Sequence, residues 1–474
     1  MLDKPQLDAL LSDNCRADLS GAVKNSCLFI TPNTRLAAHL REILDAIIYH
    51  RLGSEDYSWE TPQVMPFDAW FQSVWKSAVF SSVVEPKILL SAAQDLHFWE
   101  QAIAGATALE TLLSKHGAAL QAQQAYQLLN QSLINAGDHR FEFDSQVDSA
   151  CFYDWMVRYE HLVDNSDYLS FSAAQRCLLS VLFQQGESEN VDASREILLP
   201  SAIAMVGFTA ATPLQASLLK QIPNVVDIQL TASTGAVESL TFSDFHAELS
   251  AAAKWAQAQQ ELNPYDRIAV VVQDLKRNQL AVERIFSRQF QSSGSSSTAE
   301  HYYNISAGVP LAQVAIVKQA LLLLATVSKS LPLDDWISLI NSPFLFNASG
   351  QVNAKRKLIQ YLFDAGESQF SVPQLKELIV NNSTILPADD CFFSIMIEAA
   401  AEVQKLRKAK PQYPSQWAVA FASYLTRFDW PGSRILNSEE YQQHAVFESA
   451  FNSFSSLDSI LSRLSLQEAL SHFQ

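Results

Sequence analysis

Apolar positions in the first half of the chain alternate between short continuous runs and stripes with helical spacing. The run Cys27–Ile30 predicts a strand, and the apolar residues after it predict a helix from Thr34 to His50. Helical spacing continues from Phe67 to Gln185, which predicts a helical insertion. Short runs then return and predict strands at Ile197–Leu199, Ile203–Val206 and Val225–Leu230, with a helix over Pro213–Gln221 between the last two. Strands that alternate with helices are typical of parallel βαβ units.

A second alternating segment follows. Its pattern predicts a helix over Asp244–Glu261, a strand over Arg267–Val272 and a helix over Asp274–Phe290. The strand is almost wholly apolar, which is typical of a strand covered on both faces. A serine-rich loop, Gln291–Thr298, then leads towards a helix over Val314–Val327, and the remainder is predominantly helical.

These patterns predict a helix-rich α/β protein. A first α/β lobe combines residues 1–75 with 196–235, and a helical insertion occupies 76–195. Residues 236–325 form part of a second lobe, and 326–474 form a second helical insertion domain. The chain ends inside an apparent helix, Leu466–Gln474, without a helix stop signal, so we expect it to be a fragment truncated at this end.

Charge limits the partners of the surface. The 474 residues contain 33 Lys+Arg against 50 Asp+Glu, a net charge of −17. Such a surface repels nucleic acid on average, so contact with DNA must come from local basic patches. The chain lacks an apolar run long enough to span a membrane and begins without a signal peptide, so we expect a cytoplasmic protein with no membrane partner. Its 5 cysteines form no C-x-x-C pair, which favours reduced thiols over a zinc site.

Two α/β lobes separated by helical insertions suggest a nucleotide-driven motor, but the phosphate-binding motif is missing. The motif G-x-x-x-x-G-K-[ST] needs glycine for close backbone approach and lysine for charge. None of the 13 glycines precedes a lysine. We therefore expect that the chain does not bind ATP.

The segment Ile203–Gln215 resembles the Walker B strand of superfamily 1 helicases, in which a hydrophobic strand carries Asp-Glu and a glutamine follows on the next helix. When Gln215 is aligned with that glutamine, Val206 and Gly207 take the places of the magnesium-binding aspartate and the catalytic glutamate. Without these carboxylates neither the metal nor the attacking water can be positioned. The resemblance therefore implies an inactivated ATPase.

Further segments make the chain similar to the RecB/AddB-like proteins, specifically bacterial "probable DNA repair proteins" that join a degenerate helicase to a C-terminal PD-(D/E)XK nuclease. They are Ile30–Ala37, Trp59–Pro62 with Phe67–Trp70, Glu248 with Ala252–Ala256, Ile268–Leu275, Ser306–Leu311, Ser342–Leu345, and Trp430–Gly432 with Ser438–Gln442. The resemblance implies two RecA-like lobes. It also implies a role in DNA repair and recombination, in which this region guides DNA to an exonuclease-type domain absent from the chain. Magnesium is expected only in that missing domain.

Three sets of residues are candidates for DNA contact. Thr31, Asn33 and Arg35 lie where a strand meets a helix N-terminus, and the resemblance places the DNA-contacting motif after the phosphate loop there. The simpler alternative is a capped turn with a solvated arginine. The other two sets are Arg277, Arg284 and Arg288 on one helix face, and the cluster Lys405, Arg407, Lys408 and Lys410 beside Tyr413 and Trp417. For these, the alternative is a solvated helix face.

Other chemistry is poorly supported by the sequence. Pro66–Asp68 with Glu85–Lys87 resembles a nuclease motif, but Asp68 is more simply the N-cap of a helix. The pairs Asp334-Asp335 and Asp389-Asp390 more simply begin helices, and Trp70, Trp75, Trp255, Trp336 and Trp430 are expected in cores. Two functions remain open. The first is a scaffold that binds single-stranded or tailed DNA, and the second is a protein-interaction scaffold for a partner helicase or nuclease subunit without DNA contact.

Overall fold

The protein is a helix-rich α/β chain with a small parallel sheet. The computed structural model describes residues 12–52, 60–106, 114–187, 197, 199–230, 237–263, 268–291, 303–306, 308–346, 352–382 and 391–473. The chain divides into two compact units, Met1–Ala236 and Val237–Gln474.

Four parallel strands form the sheet of the first unit, in the order β2-β1-β5-β6. The strands of this unit are β1 (Leu28–Thr31), β2 (Val64–Pro66), β3 (Ile88–Leu89), β4 (Tyr168–Leu169), β5 (Ala202–Val206) and β6 (Asn224–Ile228). In the centre of the sheet, Ile30 pairs with Met65 on one side and with Met205 on the other. The short strands β3 and β4 pair separately and in parallel.

Helices cover both faces of this sheet. The helices of the first unit are α1 (Asp13–Lys24), α2 (Thr34–Leu52), α3 (Phe67–Phe80), α4 (Ala92–Ala104), α5 (Lys115–Gln131), α6 (Arg140–Phe143), α7 (Val147–Asp164), α8 (Phe171–Glu187) and α9 (Pro213–Leu219). Phe29, Ala204 and Val206 point into a core shared with α1 and α2. Their neighbours Ile30 and Met205 point into a core shared with α3, α8 and α9. The period of two along each strand thus produces a three-layer unit.

The helices of the insertion pack around a buried aromatic pair. The rings of Trp99 in α4 and Tyr159 in α7 stack with centroids 4.1 Å apart. The Tyr159 hydroxyl donates to Asp95, which also accepts a hydrogen bond of 2.7 Å from Gln123 Nε2. Burial raises the pKa of Asp95, while the hydrogen bonds from Tyr159 and Gln123 act in the opposite direction. The insertion therefore has a core of its own, closed at its base by the β3–β4 pair.

The predicted strands of this unit are confirmed at β1, β5 and β6, whereas two details are wrong. The residues predicted to form a strand at 197–199 lie outside the sheet where they are described, and Ile197 is buried in the α3–α8–α9 core instead. Strand β2 was not predicted. It is only three residues long and ends at Pro66, so it lacks the length and alternation that identify a strand.

The second unit is almost wholly helical where it is described. Its elements are α10 (Phe245–Leu262), α11 (Leu275–Gln291), α12 (Ala315–Ser328), β7 (Leu331–Pro332), α13 (Leu333–Ile340), α14 (Val352–Asp364), β8 (Gln369–Phe370), α15 (Val372–Asn381), α16 (Cys391–Lys408), α17 (Pro414–Arg427), α18 (Ser438–Ser455) and α19 (Leu466–Phe473), with short 3-10 turns at Leu311–Gln313 and Ser456–Ser459. Strands β7 and β8 form one small antiparallel pair. No helix in the described part of the chain is long and apolar enough to cross a membrane.

The strand predicted over Arg267–Val272 is wrong where it can be compared. Arg267 lies outside the described residues, and Ile268–Val272 belong to no sheet. Val270 and Val272 pack against α10 and α11, whereas Val271 is 94% exposed. The side chains alternate as in an extended chain, but a strand also needs a pairing partner, and the described residues supply none here.

Buried tryptophans hold distant segments of the second unit together. Trp336 Nε1 donates to the Phe370 carbonyl at 2.8 Å, and Trp430 Nε1 donates to the Ile316 carbonyl at 3.0 Å. Trp70 and Trp75 are buried in the first unit. These four confirm the expected core role. Trp255 does not, because its side chain is 52% exposed on α10.

Replacement of Trp336 by phenylalanine tests this role. Trp336→Phe leaves a cavity and an unpaired buried carbonyl, so we expect a loss of about 2 to 4 kcal/mol in unfolding free energy. The exposed Trp255→Phe is the matched control and is expected to change stability by less than about 0.5 kcal/mol. Denaturant unfolding measures both, and equal effects would contradict the assignment of Trp336 to the core.

Candidate functional site

The chain connections single out one position at the carboxyl edge of the sheet. Strand β1 leads through α2 to β2 on one side, and β5 leads through α9 to β6 on the other. The direction of the connections therefore changes between β1 and β5. In open α/β sheets, ligands bind outside the carboxyl ends of the strands at such a switch point. We therefore take the turns after β1 and β5 as the candidate site.

The turn after β1 is organised by its own residues. The Thr31 hydroxyl donates to the Asn33 carbonyl at 2.9 Å, and Asn33 Oδ1 accepts the Leu36 N–H at 2.8 Å. Thr31 is fully buried, so it offers no surface to a ligand and must be removed from the candidates for DNA contact. Asn33 and Arg35 are exposed at the start of α2. The capped turn foreseen as the simpler alternative is thus present.

An apolar contact occupies the turn after β5. Val206 is fully buried, and Gly207 adopts a φ of 74° with its N–H donating to the Ile228 carbonyl at 3.2 Å. A Cβ atom on Gly207 would lie 2.6 Å from Leu36 Cδ2. Helical spacing identifies Leu36 only as an apolar position of α2, because contact with a strand so distant in sequence leaves no local signal. Neither Val206 nor Gly207 can hold a cation or activate water.

Gln215, the residue on which the predicted helicase resemblance was aligned, has a structural partner. Its Oε1 accepts the Thr212 N–H at 3.0 Å, and Thr212 Oγ1 accepts the Gln215 N–H at 3.2 Å. This reciprocal pair is a capping box at the start of α9. In this conformation, the Gln215 side chain stabilises the helix terminus.

Three arginines form a row along the exposed face of α11. Arg277, Arg284 and Arg288 are exposed, and none of their side chains makes a hydrogen bond or ion pair with another residue in the ranges that the structure covers. The opposite face of α11 packs through Val282 and Phe286. This set, which we call the arginine row, therefore presents three uncompensated charges on one side of one helix.

The second basic cluster is partly engaged within the protein. Lys405 Nζ lies 3.3 Å from Glu402 Oε1. Arg407 Nε donates at 2.6 Å to the Val327 carbonyl, in the last turn of α12. Lys408 and Lys410 are exposed and have no partner among the described residues. Of the four side chains, only Lys408 and Lys410 thus have no partner in the described part of the chain.

The aromatic residues beside this cluster are also engaged. Trp417 is buried, and its Nε1 donates to the Leu464 carbonyl at 2.8 Å. The guanidinium of Arg463 lies over the Tyr413 ring, 5.4 Å from its centroid. Trp417 therefore cannot stack on a nucleobase, which weakens the prediction of a groove that tracks a DNA strand.

Among the acidic residues considered for metal binding, Asp68, Asp334 and Asp335 lie on helices, whereas Glu85 lies in the segment between α3 and β3. Asp68 lies in the first turn of α3, although Pro66 rather than Asp68 is the N-cap. Lys87 Nζ donates to the Asp164 carbonyl at 3.4 Å. Asp334 and Asp335 occupy the first turn of α13 as predicted, and Asp389-Asp390 lie outside the described residues.

Comparison with known proteins does not assign the chain to a family. No protein-family model matches the chain, and no curated protein matches it.

The contact between Leu36 and Gly207 can be tested with a matched glycine. Gly308 also has a positive φ, 64°, but a Cβ there would meet no atom within 4 Å. We expect Gly308→Ala to cost about 1 kcal/mol of backbone strain and Gly207→Ala about 1 kcal/mol more, because of Leu36. Denaturant unfolding in a double-mutant cycle with Leu36→Ala should remove the excess. Equal costs in both Leu36 backgrounds would show that Leu36 does not fill this space.

Proposed function

We propose that the chain is the non-catalytic, helicase-like region of a RecB/AddB-like DNA repair protein. In this proposal, it binds single-stranded or tailed DNA weakly and guides the DNA to a nuclease domain outside this sequence. The observation that carries the proposal is the arginine row, whose three charges have no partner in the described part of an otherwise acidic chain.

The sheet of the first unit supports a degenerate RecA-like lobe. Its strands are parallel and covered on both faces, and the switch point lies between β1 and β5. At that point, Leu36 lies against Gly207, where the helicase resemblance would place a carboxylate. Support for part of a second lobe is thinner, because it rests on the alternating burial of Ile268–Val272 against α10 and α11.

The arginine row has suitable dimensions for a phosphate backbone. Arg277 and Arg288 are separated by eleven positions, which span about 16 Å of helix at about 1.5 Å per residue. Guanidinium groups bind phosphate through two hydrogen bonds at once, so each arginine can hold one phosphate. Local positive charge can attract DNA even on a protein of net negative charge.

A triple substitution tests the proposal. Arg277→Gln/Arg284→Gln/Arg288→Gln should weaken binding of a fluorescent single-stranded oligonucleotide at low salt by at least about tenfold. It should also reduce the slope of log affinity against log salt by about 2, at about 0.7 per lost contact. Fluorescence anisotropy over a salt series measures both quantities.

The control removes the same charge from scattered sites. Lys24→Gln/Lys220→Gln/Lys329→Gln changes three exposed lysines outside the arginine row, and its binding should stay close to that of the wild type. Equal effects of the two triple variants would mean that only net charge matters. Absence of DNA binding at low salt would favour the protein scaffold.

One observation favours the protein scaffold as the second candidate. Strand β6 is at the edge of the sheet and pairs only with β5 among the described strands, and Val225 and Val226 are partly exposed on it. Such an edge can accept a strand from a partner subunit.

A further inference from the structure

A lysine on α14 is buried without a counter-charge. Lys355 is only 6% exposed, and its Nζ lies 5.5 Å from the centroid of the Phe346 ring. Its Nζ makes no ion pair or hydrogen bond with any residue in the described ranges, and it is not fully enclosed by protein atoms. Buried lysines in folded proteins are normally paired, so this one is incomplete as it stands.

The surroundings of Lys355 compensate its charge only in part. Removal of the ammonium from water disfavours the charged form, and burial accordingly lowers the pKa of Lys355. The face of the Phe346 ring attracts the ammonium and compensates its charge in part. The carboxyl end of α13, at Asn341, contributes only the partial negative charge of a helix terminus. A full negative charge is needed to complete the pair.

Lys355 borders a cavity that has room for such a charge. The cavity measures about 410 Å³ and is lined by Asn341, Pro343, Val352, Lys355, Arg356 and Ile359. Among the described residues, this lining contains two cations and one amide but no carboxylate. Arg356 is exposed and has no partner within the described residues. The volume lies within the range of small-molecule sites, about 300 to 1,000 Å³.

We propose that this cavity binds a phosphate monoester, with Lys355 and Arg356 holding the phosphate group and Asn341 donating a hydrogen bond to it. A phosphate monoester carries a charge of about −1.5 to −2 at neutral pH, which matches two cations, whereas a carboxylate carries only one charge. Arginine supplies the two-point geometry and lysine the point charge that phosphate recognition uses. Val352 also places the cavity at the first turn of α14, where helix N–H groups lack intrahelical acceptors.

Four probes distinguish the sources of the phosphate. They are inorganic phosphate, adenosine monophosphate, a 5′-phosphorylated oligonucleotide and the same oligonucleotide with a 5′-hydroxyl end. Calorimetry at constant ionic strength should show saturable binding of at least one phosphate-bearing probe by the full chain. Tighter binding of the 5′-phosphorylated than of the 5′-hydroxyl oligonucleotide would identify a DNA end as the source, and binding of adenosine monophosphate alone would identify a free nucleotide.

Substitutions then assign the binding to this cavity. Lys355→Met should weaken it by at least about tenfold, and Arg356→Gln should weaken it to a similar degree, since each removes one of the two charges that neutralise the phosphate. Lys318→Met removes a lysine from an exposed position of the same unit and should bind as the wild type does. Lys355→Met should also unfold at the same or a higher temperature than the wild type in phosphate-free buffer, because it removes an unpaired buried charge.

Two results would overturn the proposal. One is the absence of saturable binding of every phosphate-bearing probe, and the other is unchanged affinity in both Lys355→Met and Arg356→Gln. Because Arg356 is exposed, its substitution keeps the test decisive even if Lys355→Met folds poorly. The arginine row is intact in all these variants, so this result is separate from the outcome of the DNA-binding test.

Discussion

The parallel pairing of β1 with β5 is the constraint on which the first unit depends. Ile30 pairs with Met205 and Phe29 with Ala204, and these two pairs face opposite cores. A slip of one residue would turn each apolar side chain towards the wrong layer of helices. The same pairing creates the switch point and brings the turn at Gly207 beside Leu36. The pairing of β1 with β5 thus determines both the architecture of the sheet and the apolar contact at its carboxyl edge.

The basic residues of the second unit differ in role because their neighbours differ. Arg407 binds the carbonyl of Val327 and stabilises the end of α12, whereas Arg284 extends from α11 without a partner among the described residues. Lys355 is the third case, a cation buried beside a cavity. Sequence alone presents all three as solvated charges on helices. Their separation into structural, surface and cavity-lining residues comes entirely from tertiary packing.

Local patterns predict much of the secondary structure and little of the site. Helix α12 and strand β5 follow from the apolar spacing of a few adjacent residues, so they are predictable. Strand β2 is too short to have a pattern, and Ile268–Val272 has the pattern but no partner strand among the described residues. The absence of a carboxylate at position 207 follows directly from the residue type. The contact of Gly207 with Leu36, in contrast, can be identified only from the folded structure. No sequence pattern identifies Lys355 as a buried residue, since burial of a lysine depends on which segments surround it.

Chain order imposes a delay on the assembly of the central sheet. Leu28 pairs with Ile203, so β1 leaves the ribosome roughly 175 residues before its central partner, a wait of about 10 to 35 s at about 5 to 20 residues per second. During that time, the edge of β1 that later pairs with β5 lies open. The insertion between them and β5 has a core of its own around Trp99 and Tyr159, and its ends are joined by the β3–β4 pair. Early folding of the insertion would bring the ends of the interrupted sheet together and shorten the loop that remains to be closed.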